Sequence, residues 1–165
     1  MKVLKRTVLI VVLVAIVAML AAPAAQATVR IREGKGVGKA KLGMVDKTAM
    51  KYLGKHKAMK RDTAYGSRVV YMTDFGKKHG GRYALEMLSN ASHKVFMFTC
   101  NTATYVTAKG IKVGSTESRL KAKYGSKLKR FARPIYTWYK LGKHPFTQFI
   151  VKKKTHKVFQ IIISK

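Results

Sequence analysis

The stretch Gly110-Ile-Lys-Val-Gly-Ser-Thr-Glu-Ser-Arg-Leu-Lys-Ala-Lys-Tyr-Gly125 carries every signal of a short, capped helix. Ile111 and Val113 form an apolar entry and Gly114 makes a turn. Ser115 or Thr116 can then cap the helix by accepting a hydrogen bond from a free first-turn N–H. Glu117 suits the positive N-terminus and Lys121 and Lys123 the negative C-terminal half. Gly125 stands where a C-terminal cap needs positive φ. Leu120 and Tyr124, four apart, share one face. A helix of about three turns is marginal alone, so this one needs a partner surface.

The same design occurs earlier, in Lys41-Leu-Gly-Met-Val-Asp-Lys-Thr-Ala-Met-Lys-Tyr-Leu-Gly54. At an offset of 71, Leu42 aligns with Val113, Asp46 with Glu117, Ala49 with Leu120 and Leu53 with Tyr124. Further on, His93-Lys-Val-Phe96 matches His156-Lys-Val-Phe159 at an offset of 63. The change of offset requires a longer insertion in the first half, and Phe75–Gly81 reads as its loop. Two anchors in the same order predict two tandem units.

Around these anchors, β-branched and aromatic runs predict strands at Ser67–Thr73, Arg82–Leu88 and His93–Cys100. Others are predicted at Ile135–Leu141, Phe146–Val151 and Lys157–Ile163. Thr28–Glu33 reads as a short strand, and Tyr105–Thr107 as a further candidate. Lys127–Arg133 is open between strand and extended connection, and Lys55–Arg61 reads as a basic connection. The expected fold is therefore α+β. It has two tandem helix-plus-three-strand repeats, about 36–103 and 104–165, with the helices packed on one face of an antiparallel sheet.

Residues 1–27 read as a signal peptide. Lys2, Lys5 and Arg6 precede an apolar run, Val8–Ala22, then Pro23 and the small-x-small site Ala25-Gln26-Ala27. That run is short of the roughly 20 residues that span a bilayer. The expectation is a single domain, 28–165, secreted into the extracellular or periplasmic/cell-wall space after cleavage near Ala27. Three of the chain's 35 basic residues lie in the leader, leaving 32 against six acidic ones, a net of +26. Such an imbalance destabilises the compact state by self-repulsion but draws anionic partners.

Little in the chain suggests chemistry. Gly34-Lys-Gly-Val-Gly-Lys39 lacks phosphate-loop spacing, because Glu33 stands where the first Gly should be and Ala40 where Ser or Thr should follow Lys39. Five histidines form no HxH, HExxH or Cys/His set, so no metal and no cofactor are expected. No nucleophile-elbow motif is present, and no acidic pair stands out for acid–base work, so the chain does not read as an enzyme. Cys100 is the only cysteine; strand alternation places it with Phe96 and Phe98 as a small core side chain. Tyr136, Trp138 and Lys140 project from one face of a strand, with Lys143 and Lys152, Lys153 and Lys154 in the flanking turns. Aromatic surface beside positive charge suits a polyanion or an acidic protein. These seven residues are the candidate binding set.

Gly43-Met44, Ala49 and Leu53-Gly54 follow the pattern Gly-Met-x4-Ala-x3-Leu-Gly. This resembles the helix signature of the BamE/SmpA outer-membrane-assembly lipoproteins. The order of elements resembles the tandem-repeat β-lactamase-inhibitor-protein (BLIP) fold. The resemblance implies helices against a continuous sheet whose concave face is free to bind protein. The expected function is a non-enzymatic binding protein for an anionic envelope polymer, a lipid surface or an acidic protein. An inhibitor-like module of the BLIP type, or an envelope assembly factor, is the alternative. Membrane-surface contact fits the charge. Nucleic acid does not fit as a physiological partner, since no nucleic-acid-binding signature appears and the leader directs the chain outward.

Overall fold

The computed structural model describes residues 28–56, 60–65 and 68–165. The signal peptide expected at 1–27 and its cleavage site lie outside the described residues. In chain order, three short strands, β1 (Val29–Arg32), β2 (Gly36–Val37) and β3 (Ala40–Lys41), lead into helix α1 (Asp46–Leu53). Four strands follow: β4 (Lys60–Tyr65), β5 (Arg68–His79), β6 (Arg82–Asn90) and β7 (Val95–Cys100). Then come β8 (Tyr105–Thr107), helix α2 (Glu117–Tyr124) and a 3-10 turn at Gly125–Lys127. The chain closes with β9 (Leu128–Ala132), β10 (Tyr136–Leu141), β11 (Phe146–Lys152) and β12 (Lys157–Ser164).

β4 to β7 and β9 to β12 each form an antiparallel meander. The two join along their last strands in one eight-stranded sheet, ordered β4-β5-β6-β7-β12-β11-β10-β9. At the seam Cys100 faces Ile161 and Phe98 faces Ile163. A second sheet, β3-β2-β1-β8, contains one parallel pair, β1 with β8. Gly36 is needed in it: a Cβ there would lie 2.1 Å from the Ala40 carbonyl oxygen.

The expected α+β fold of two helix-plus-three-strand repeats is thus corrected. The described residues are mainly β, with two helices of eight residues each, twelve strands and two sheets. The strands that sequence patterning passed over are the two ends of the large sheet. β4 (Lys-Arg-Asp-Thr-Ala-Tyr) begins at the end of what reads as a basic connection, Lys55–Arg61, and β9 (Leu-Lys-Arg-Phe-Ala) lies within the segment open between strand and extended connection. Edge strands are half-solvated and tolerate charge on both faces, so they lack hydrophobic alternation. The insertion placed at Phe75–Gly81 is likewise no loop, since β5 continues to His79 and turns at Gly80-Gly81.

One core joins all the layers. Ala49 of α1 and Leu120 and Tyr124 of α2 pack with Ile31 and Val37 of the small sheet on residues such as Phe98 and Phe149 of the large one. Both helices and the small sheet therefore cover one face of the eight-stranded sheet. The other face carries Tyr136, Trp138 and Lys140, all half-buried. Among the described residues no helix is long and apolar enough to cross a membrane.

Each helix is tied to the hairpin turn of its own meander in the same way. The N–H of Asp46 donates to the His93 carbonyl at 2.9 Å, and that of Glu117 to the His156 carbonyl at 2.8 Å. Both histidines are left-handed, at φ 55° and 51°. The Asp46 carboxylate, fully buried, accepts from the Ser89 hydroxyl at 2.9 Å and lies 2.8 Å from His93 Nδ1. Glu117 accepts from the Tyr139 hydroxyl and from Lys121 Nζ at 2.9 Å, with His156 Nδ1 at 3.2 Å.

Candidate binding face

β10 decides how the uncovered face is built. Thr137 and Tyr139 point into the core and are 3% and 2% exposed. Strict alternation then sends Tyr136, Trp138 and Lys140 to the open side, where all three are half-buried. Pairing with β11 sets their neighbours: Lys152 opposite Tyr136, Ile150 opposite Trp138, Gln148 opposite Lys140. On the other flank Phe131 of β9 lies opposite Trp138.

Cations lie across the aromatic rings of this face. Arg82 and Lys152 both sit 4.4 Å from the centre of the Phe159 ring, which stacks on Tyr136 at 5.7 Å. Arg133 covers Trp138 at 4.8 Å and Lys140 covers Phe146 at 4.1 Å. Long side chains in this posture shield apolar surface with their stems and keep the charged head at the water boundary.

Three of those heads, Arg133, Lys140 and Lys152, come from a stretch, 118–165, that has no acidic residue. Lys121 pairs with Glu117 at 2.9 Å, away from this face. Glu33 accepts from the Tyr124 hydroxyl at 2.6 Å, and Glu86, beside Arg82, accepts from the Asn101 amide at 3.2 Å. Partial burial raises the Glu86 carboxyl pKa, as does the neighbouring Asp74 charge, against the opposing pull of Arg82 and the Asn101 hydrogen bond. At Glu117 partial burial alone would raise the pKa, but the hydrogen bonds from Tyr139, Lys121 and His156 together prevail and hold it at about 2.

The seven candidate residues do not form one patch. Tyr136, Trp138, Lys140 and Lys152 share the open face. Lys143 sits in the exposed β10–β11 turn, and Lys153 and Lys154 in the exposed β11–β12 turn at the opposite end of β11. The structure adds Arg82, Arg133, Phe146 and Phe159, which sequence reasoning passed over. One signal was available: from 118 to 165 the chain has 14 lysines and arginines and no aspartate or glutamate.

Ser89 donates to Asp46 and not to a histidine, so Asp46, Ser89 and His93 act as a structural clamp. Cys100 is fully buried, and burial pushes its thiol pKa far up, away from the reactive thiolate. Among the described residues no three His, Cys, Asp or Glu side chains are placed to hold a metal ion.

No family model and no curated protein matches the chain. Solved structures do. The uncharacterized protein yfeY of Escherichia coli superposes with a TM-score of 0.58 at 18% identity, covering 84% of this chain and 99% of that one. An extracellular protein containing an SCP domain, from Bacillus anthracis str. Ames, gives a TM-score of 0.53 at 11% identity and covers 75% of this chain. This chain spans only 44% of that protein. At such identities the likeness is one of fold. The BamE/SmpA and BLIP resemblance rests on the sequence alone.

Proposed function

We propose that the chain is a secreted, non-enzymatic binding protein that takes an anionic partner of the cell envelope on the open face of its eight-stranded sheet. Residues 1–27 would direct it out of the cytoplasm and be removed. One observation carries the reading: the cations of this face are laid over aromatic rings, and Arg133, Lys140 and Lys152 come from a stretch, 118–165, without a single acidic residue. A partner with spaced negative charges supplies the missing counter-charge, and the flat aromatic surface offers it a low-entropy contact.

The test is retention of the purified chain on immobilised heparin and on an anionic wall polymer at about 150 mM salt, close to physiological ionic strength. Changing Arg82, Arg133, Lys140 and Lys152 together to Gln should abolish retention on both. The same change at Lys39, Lys47, Lys51 and Lys55, all exposed and away from this face, should weaken it far less. Equal losses in the two sets would mean that charge alone is at work and the face is not a site. Salt-insensitive co-purification with one protein would favour the inhibitor-like alternative.

A further inference from the structure

The β9–β10 hairpin carries a feature that a soluble polyanion leaves unused. Among the described residues only four large hydrophobic side chains are exposed, and two of them, Phe131 at 43% and Ile135 at 68%, are on this hairpin. Phe131 sits beside Trp138 on the open face, and Ile135 is in the connection just before β10. The tip is held in shape. The Arg133 N–H donates to the Tyr136 carbonyl at 2.9 Å, and the Lys153 N–H to the Ile135 carbonyl at 3.1 Å. The second bond fixes the Lys152–Lys154 turn against the apolar tip. Arg133 flanks it on the other side, over Trp138, and no acidic residue occurs anywhere from 118 onward.

A bare apolar tip inside a cationic collar, with Trp138 and Tyr136 behind it, matches the boundary of an anionic lipid bilayer. Apolar side chains enter the headgroup–acyl boundary, aromatic rings settle at headgroup depth, and lysines and arginines meet the phosphates. A soluble polymer would satisfy only the collar. We propose that the anionic partner of this protein is a phospholipid bilayer, and that the β9–β10 hairpin inserts into it through Ile135 and Phe131. This rests on the reading of the open face as an anion-binding surface and names the partner. The β9 edge is no easy seat for a second copy, because Lys129 and Arg130 place charge along it.

Trp138 is the only tryptophan in the chain and so reports directly on the hairpin. The purified chain should co-sediment with vesicles containing phosphatidylglycerol and not with phosphatidylcholine alone, and its tryptophan emission should shift to the blue on binding. Ile135→Ser with Phe131→Ser should weaken vesicle binding about tenfold or more, from the loss of two apolar insertions. It should also remove the blue shift, while Ile135→Ser alone, in the connection off the sheet face, should weaken vesicle binding and leave heparin retention unchanged. Both residues are exposed, and an unchanged thermal melt would show that the variant folds. Lys153→Gln with Lys154→Gln should cost roughly 25-fold, at about fivefold per cation near such a surface. Heparin retention without vesicle binding would overturn the bilayer and leave the anionic reading standing. Loss of both would sink the two together. Vesicle binding that the Ser variant leaves intact, or an apolar tip found buried in a dimer by sedimentation without vesicles, would also overturn insertion.

Discussion

Glu117 gathers contacts from Tyr139, Lys121 and His156. Partial burial disfavours its charge, yet the donors from Tyr139, Lys121 and His156 hold its pKa at about 2, against an ordinary 4.5. A carboxyl whose folded value is depressed stabilises the fold fully above its unfolded value. That stability drains as the pH falls towards the folded value. The window here runs from about 4.5 down to about 2. Glu117→Gln should therefore cost about 1–2 kcal/mol at pH 7, the scale of a few charge-assisted hydrogen bonds partly open to water. The wild-type advantage should then shrink through that window and vanish near pH 2. Urea unfolding at pH 7, 4.5, 3 and 2 would measure it, and a difference that stayed constant across the series would rule Glu117 out as the source. Sequence alone marked Glu117 only as a helix-end charge. Its partners come from α2, β10 and the β11–β12 turn, and local patterning does not bring such distant positions together.

At the scale of elements, the two histidine turns look alike but should respond differently. A left-handed backbone costs a residue with a Cβ roughly 1–2 kcal/mol, and glycine escapes that cost. The His156 ring is 75% exposed, so its contact with Glu117 is worth a fraction of a kcal/mol. His156→Gly should thus fall between neutral and about 1 kcal/mol more stable. His93 lies against the fully buried Asp46 carboxylate and stacks on Tyr71 at 4.4 Å. His93→Gly leaves that carboxylate short of a partner and should be destabilising by about 1–2 kcal/mol net. Urea or thermal unfolding would show the contrast, and shifts of the same sign and size at both sites would refute it. The two His-Lys-Val-Phe segments were legible as matching turn-to-strand entries because the run itself repeats. That each histidine closes onto the acid at the start of its helix was recoverable only by noticing that Asp46 and Glu117 also align. Strand legibility followed burial: β10, β11 and β12 alternate or run apolar against the core, whereas β4 and β9 are charged edges without that pattern. The candidate site was half legible for the same reason. Alternation along β10 placed Tyr136, Trp138 and Lys140 together, but Arg82 and Phe159 join them only through sheet order.

For the whole molecule, charge is the dominant unbalanced quantity. The chain carries +29, its described carboxylates are largely occupied by hydroxyls, amides and histidines, and the lysines and arginines repel one another across a small surface. Self-repulsion of this kind is long-ranged and screened by ions: the Debye length falls from about 30 Å at 0.01 M salt to about 3 Å at 1 M. Most proteins with balanced surfaces change little over that range, because attractions and repulsions are screened together. Here repulsion prevails, so the melting temperature should rise by several degrees as sodium chloride increases from about 0.01 to about 1 M. Heparin at micromolar concentration and low salt should raise it as well, by binding the folded state and not only by screening. The heparin effect should disappear in the variant that loses Arg82, Arg133, Lys140 and Lys152, while the sodium chloride effect is only reduced, since four charges are a minor part of the total. Differential scanning calorimetry of the two proteins under the three conditions would decide it. A melting temperature that fell with salt would mean that attractive ion pairs outweigh repulsion, and the open face could not then be as unneutralised as its geometry implies.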